Sequence, residues 1–213
     1  MVVAVIADMV GSRRLPDRAA AQRVLDETID RVESARPLAA ERLTPTVGDE
    51  QQGVYRELSA ALISLAMVQL ALPDEVGFRF GLGVGEVRSF ESSGGRLSDG
   101  PGWWAARVAI ETVHERERGA IPSARTWIVG APGQDEVMAS TIAAANAYLL
   151  LRDDVVGAMS ERERRLAYGR MLGTAQKDLA EQEGITQPAV SKALRRSGAT
   201  ALLLGLDELT GGR

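Results

Sequence analysis

The sequence predicts an α+β protein, a mostly antiparallel sheet with helices joined to a small all-α unit. Three observations predict it. Val2 to Ala7 is a continuous apolar run rich in valine, the mark of a buried central strand. Phe78, Phe80, Leu82 and Val84 alternate with Arg79, Gly81, Gly83 and Gly85, a period-2 pattern running from Phe78 to Val87. After Leu151 the chain breaks into short helical patterns separated by turn residues.

The elements follow in order. The first strand ends near Asp8, and after Gly11-Ser12 and Pro16-Asp17 a helix carries Val24, Leu25, Ile29 and Val32 on one face. Thr46-Val47 and Gln51 to Tyr55 read as two short strands joined by a tight turn at Gly48-Asp49. Leu58, Leu62 and Leu65 place a second helix on the same core. Three glycines on one face of the 78–87 strand leave that face bare, open to a helix backbone or a ligand. A helix from about Trp103 to Arg118, a strand at Thr126 to Val129 and a long helix from Gln134 to about Val156 complete the body.

Bulk properties narrow the class. At 213 residues and 45% hydrophobic content, the chain is long enough for one sizeable core and a small appended unit. With no cysteine, disulfides and thiolate metal sites are excluded. Six apolar residues at the start fall far short of the roughly 20 that span a bilayer, and no basic stretch precedes them. A cytoplasmic protein with no membrane partner is expected. The formal charge of −4 is uneven, about −5 before Leu151 and +1 from there on, and both lysines, Lys177 and Lys192, lie in the tail. That balance fits a nucleic-acid unit on an acidic body and, equally, ordinary scatter of surface charge.

The tail carries the strongest motif. Ser160-Glu161-Arg162-Glu163 is a capping-box pattern. It opens a helix with Leu166, Met171 and Leu172, and a second helix follows from about Ala175 to Glu183. Gly184-Ile185-Thr186 makes the turn: Gly184 takes a positive φ, Ile185 plugs the core and Thr186 caps the next helix, Gln187 to Arg196. Val190 and Leu194 face inward. Gln187, Pro188, Ser191, Lys192, Arg195 and Arg196 then form the outer face, where a recognition helix meets base edges and phosphates. The wording from Gln187 to Arg196 resembles many bacterial regulators. The plainer alternatives are an αα-hairpin that merely packs, or a helix-turn-helix used for protein contact. Leu202 to Leu209 is too apolar for a free tail and is expected to pack on this unit or on a second subunit.

A second constellation lies in the body. Asp8 ends a buried strand and Asp49 sits at a hairpin tip; a carboxylate at such a place is costly unless paired or bound to a cation. If the hairpin pairs beside the first strand, the two converge on an oxygen-rich site suited to Mg²⁺. Met9-Val10-Gly11-Ser12 between them has the form of a loop whose amides cradle phosphate. By spacing alone, a helix cap at Asp8 and an ordinary turn at Asp49 fit equally well.

Three segments add a resemblance. Ile6 to Ser12, Val47-Gly48-Asp49-Glu50 and Arg79 to Val87, with Ala105-Ala106-Arg107 after them, resemble the ordered motifs of class III nucleotidyl cyclases. The whole chain, cyclase-like body and helix-turn-helix tail, resembles the SatD-like family of bacterial proteins. The resemblance implies a cyclase-like, ferredoxin-like core, metals held by Asp8 and Asp49, and Arg107 meeting the phosphates of a nucleotide bound between two subunits. Two positions depart from the cyclase pattern: Pro45 stands where it has a base-selecting lysine, and Trp103 where it has an asparagine. Efficient cyclisation is therefore not expected. Trp103 and Trp104 read as core or dimer-interface residues in preference to base-stacking platforms, and His114, without a ligand-spaced partner, is given no role.

The resulting expectation is a homodimeric bacterial transcriptional regulator. Residues 1–133 form a cyclase-like domain that binds a nucleotide or related phosphate ligand with Mg²⁺. Residues 134–158 form a connecting helix that passes movement on, and residues 159–213 bind DNA. An active cyclase with a DNA-binding tail, and a cyclase-like domain that only dimerises, are the rival readings.

Overall fold

The structure, a computed structural model, describes residues 2–11, 17–46, 50–92 and 95–211, with backbone alone for 89–92 and 95–97. Five strands, β1 (Val3–Met9), β2 (Glu41–Pro45), β3 (Glu50–Tyr55), β4 (Phe78–Val84) and β7 (Thr126–Gly130), form one sheet in the order β2-β3-β1-β4-β7. All its pairings are antiparallel except β4 with β7. The sheet is thus mixed, with the expected antiparallel majority. Helices α1 (Arg18–Ala35) and α2 (Leu58–Ala71) cover one face, and α3 (Pro101–Arg118) lies on the other.

The alternation of β1 explains the two layers. Val3, Val5, Ala7 and Met9 enter the large core with α1 and α2, whereas Ala4 and Ile6 pack with Trp103, Ala106 and Ile110 of α3. The bare glycine face of β4 receives the α3 backbone. A Cβ on Gly81 would come within 2.6 Å of the Ala106 carbonyl, and one on Gly83 would overlap the Gly102 carbonyl and the Ala106 amide. Of the two visitors the glycines allow, helix and ligand, the helix takes the place.

Strand boundaries differ from expectation at three points. The first strand continues through Asp8 to Met9, whose side chain is buried in the core. The outer strand of the first hairpin is Glu41–Pro45, ending before Thr46, and Val47 lies outside the described residues; Leu43 is the strand's one buried side chain, so the alternation that would reveal it is weak. Pro45 is tolerated because β2 is an edge strand, where a missing N–H breaks no ladder on the open side. The 78–87 strand stops at Val84, and the chain turns into a two-stranded ribbon, β5 (Arg88–Ser92) with β6 (Gly95–Asp99). Its run of serine and glycine hides it from a pattern of apolar residues.

Helix α4 (Glu136–Gly157), capped by Asp135, docks on the edge strand β7 through polar side chains. Asn146 accepts from the Ile128 amide and donates to the Ile128 carbonyl, both at 2.9 Å. One turn-pair further on, Asp153 accepts from the Arg125 and Thr126 amides, both at 2.7 Å. The helix thereby supplies the partners that a sixth strand would have given. The fully buried Asp153 also holds the equally buried Arg152 at 2.7 Å.

Four further helices follow: α5 (Glu161–Met171), α6 (Gln176–Gln182), α7 (Gln187–Arg196) and α8 (Ala199–Leu209). The capping box at Ser160 is present, with Glu163 accepting from the Ser160 amide at 2.9 Å. Leu166, Leu179, Val190, Leu194, Leu202 and Leu206 join the same hydrophobic cluster as the sheet. The shared element is α2, ten of whose fourteen residues are buried. Arg164 of α5 fastens the joint, donating to the Met159 carbonyl at 3.1 Å and pairing with Asp74. The expected packing of Leu202 to Leu209 occurs within the chain, where α8 meets α5, α7, α4 and α2. No described helix is long and apolar enough to cross a membrane.

Candidate anion site and candidate nucleic-acid interface

Strand register builds the first site. Glu50 of β3, Asp8 of β1 and Arg79 of β4 stand side by side across three strands, on the face covered by α3. Arg79 is buried and donates to Asp8 Oδ2 at 2.7 Å and to Glu117 Oε2 at 2.5 Å. Glu117 in turn pairs with Arg125 at 3.2 Å. The cost of holding the Asp8 carboxylate at the end of a buried strand is therefore offset by an arginine on the neighbouring strand. Among the described residues, no group of three carboxylate or histidine side chains comes together as a cation cage. Asp49, the second metal ligand expected from the sequence, lies outside the described residues, as does Ser12.

The loop reading of Met9-Val10-Gly11-Ser12 needs adjustment at its first half. Met9 belongs to β1, and the Val10 amide donates to the Gly77 carbonyl at 2.8 Å. That donor is already engaged, which leaves a shorter amide cradle than four open residues would make.

Arg107 projects from α3 toward β3. Its two terminal nitrogens donate to the two Glu50 oxygens at 2.5 and 2.9 Å, a fork-to-fork ion pair. The hydrogen bonds it donates to Glu50 raise the Arg107 pKa above its ordinary value, against the opposing effect of partial burial. Beside the pair opens a cavity of about 310 Å³, lined by Ile6, Gln52, Ser98, Asp99, Trp103, Trp104 and Arg107. Trp103 is 7% exposed and packs with Ala4 and Ile6, as a core residue. Trp104 is 61% exposed and donates to Asp99 at 3.0 Å. Burial, and then Arg79, lower the His114 pKa, so its imidazole stays neutral at pH 7. A larger cavity, about 540 Å³, lies at the foot of β4 and α4, but its Arg164 is paired with Asp74 and its Asp153 with Arg152.

Glu50, Arg79 and Glu117 have no role in the sequence reading. Arg79 had a readable signal: a lone cation on the glycine face of a buried strand must find a carboxylate. Glu117 had none, because its helix end looks like a solvated run of alternating charge.

The second site is built by α6 and α7. Gly184 takes φ 64° at the end of α6, Ile185 packs against the core, and Thr186 caps α7 by accepting from the Ala189 amide. Val190 and Leu194 are buried beneath α7. Gln187, Pro188, Lys192, Arg195 and Arg196 are exposed and Ser191 is half-buried. Gln187 donates to Gln176 at 2.8 Å, holding the starts of the two helices together. Arg165 of α5 is different: it is spent on Glu183 and Glu161. Lys192, Arg195 and Arg196 form no ion pair among the described residues, so three cations face outward on two turns of helix.

The fold and the two sites define an α+β protein with a charged sheet face under one helix and, on the same hydrophobic cluster, two short helices joined by a tight turn. Residues 2–204 match the SatD family, and the chain belongs to that family. Half of the chain is also similar to solved cyclase domains. The guanylyl cyclase domain of the RhoGC fusion protein from the aquatic fungus Blastocladiella emersonii matches 52% of this chain and 73% of its own, at 16% identity and a TM-score of 0.43. Adenylate cyclases from Trypanosoma brucei match 53% of this chain and 68% of theirs, at 15% identity and a TM-score of 0.43. A bacterial light-regulated adenylyl cyclase matches 54% of this chain and 40% of its own, at 14% identity and a TM-score of 0.43. No curated relative matches the chain.

Proposed function

We propose that the chain is a cytoplasmic, homodimeric transcriptional regulator, in which residues 159–213 bind DNA and residues 1–133, a degenerate cyclase-like domain, take a nucleotide or related phosphate ligand. The observation that carries the reading is the outer face of α7, where Lys192, Arg195 and Arg196 stand exposed beside Gln187 and Ser191 and form no ion pair among the described residues. The rest of the chain is acidic, so a cationic helix face of this kind has a polyanion as its natural partner. A helix of ten residues fits the major groove, with its capped end toward the bases.

Replacing Lys192 and Arg195 together by alanine removes phosphate and base contacts worth about 1–3 kcal/mol each. Mobility shifts on genomic fragments at matched salt should lose roughly 10²-fold or more in affinity, with an unchanged melting temperature. Equal affinity in native and double-variant protein would remove α7 from the interface.

For the body, Asp8 and Asp49 are the residues proposed to hold Mg²⁺, and Arg107 with the amides near Gly11 the phosphates. A bound metal would screen the ligand's phosphate charge. Pro45 closes an edge strand and Trp103 fills the core, so neither supplies the polar group that the cyclase pattern has there. Incubation with ATP or GTP and Mg²⁺ should yield little cyclic product by chromatography; ready turnover would favour the enzyme reading. Because α4 is bonded to the sheet edge and α5 to α2, ligand and operator should act on each other's affinity by one shared factor, typically about 5–150-fold.

A further inference from the structure

Arg107 is the one cation among the described residues that line the 310 Å³ cavity, and both of its terminal nitrogens are occupied by Glu50. The fold does not need that pair to seat α3. The helix is already fixed on β4 by the glycine contacts, and an ion pair with a half-exposed arginine adds little to stability. What the pair does accomplish is occupancy. A carboxylate presents two oxygens to a guanidinium in the same fork geometry as a phosphate, so Glu50 fills the place an anionic ligand would take.

We propose that Glu50 is a built-in competitor for the anion site at Arg107, and that the site opens only to ligands carrying more than one negative charge. The inference rests on the reading of Arg107 as an anion-binding residue. The Glu50 side chain is only 19% exposed, and the cation nearest its neighbour Asp8, Arg79, is engaged by Asp8 and Glu117, so a displaced Glu50 carboxylate loses its counter-charge. Displacement therefore carries the penalty of a largely buried carboxylate deprived of its cation. A monocarboxylate gains no more from Arg107 than Glu50 already does and cannot offset it. A pyrophosphate group, with higher charge on the same two-oxygen fork, can. The pair sets a threshold that screens out small singly charged metabolites and passes polyphosphates.

The test titrates the full chain with inorganic pyrophosphate and, separately, with acetate, by calorimetry. The proteins are native, Glu50→Gln, Glu50→Ala and Arg107→Met, each checked for an unchanged melting temperature. If the closed pair excludes the ligand nine-tenths of the time, removing it tightens apparent binding about tenfold. Both Glu50 variants should show that gain for pyrophosphate and should begin to bind acetate, while Arg107→Met should lose both. Native protein that binds pyrophosphate through Arg107, with neither Glu50 variant binding more tightly, would overturn the competitor and leave the anion site standing. Absence of pyrophosphate binding in native and Glu50 variants alike, or full binding in Arg107→Met, would remove the anion site itself and the competitor with it.

Discussion

Asp153→Ala should lower stability by about 3–5 kcal/mol, the largest loss expected from any single side chain of α4. The carboxylate is fully buried and makes contacts in three directions: to the amides of Arg125 and Thr126 at 2.7 Å, to Arg152 at 2.7 Å and to Gln69 at 3.3 Å. Removing it leaves a guanidinium without its counter-charge in the core and two strand-edge amides without acceptors. For a chain of this length each kcal/mol moves the melting temperature by roughly 2–4 °C, so a drop near 10 °C is expected by calorimetry. Asp153→Asn combined with Arg152→Met removes both charges while keeping an acceptor for the amides, and should recover part of the loss. A melting temperature within about 2 °C of native for Asp153→Ala would show that the buried pair contributes nothing to holding α4 on β7.

Adding one methyl group at Gly83 should cost nearly as much. The new Cβ would overlap backbone atoms of Gly102 and Ala106, and backbone cannot rotate aside as a side chain can. Helix α3 must lift from β4, and overpacking of this kind costs about 1–3 kcal/mol or more. The same change at Gly157, at the end of α4, meets nothing within 4 Å. There the alanine has better helix propensity and stabilises by about 0.5–1 kcal/mol. Thermal melts of the two variants should therefore move in opposite directions. If Gly83→Ala melts with or above native protein, the close seating of α3 is wrong. Displaced α3 would also carry Trp103 and Arg107 away from Gln52 and Glu50, so lost pyrophosphate binding should accompany the lost stability.

Patterns set by backbone chemistry were readable in the sequence. The apolar run of β1, the glycine face of β4, the Ser160 capping box and the Gly184-Ile185-Thr186 turn each follow from local steric or hydrogen-bonding rules, and each occurs where expected. What was not readable depends on pairing across long sequence separations. Arg152-Asp153-Asp154 looks like a solvated helix end, yet its first two members are buried because they meet Gln69 and Thr126. Glu50 looks like the flank of a turn; only the strand register and the seating of α3 on the sheet bring it to Arg107, 57 positions away. The serine- and glycine-rich ribbon of β5 and β6 carries too few apolar residues to leave a periodic trace.

Helix α2 has one more consequence, for how the molecule comes apart. Its buried residues form one continuous cluster with the strands on one side and with α5 and α8 on the other. Neither neighbour can be stripped away without presenting a wall of leucine, valine and methionine to water. The helices that follow Ser160 therefore do not melt as an independent tail. Heat or denaturant should take sheet and tail apart in a single cooperative step. A protease that nicks the 131–135 connection would produce two fragments that stay clasped until α2 itself unfolds.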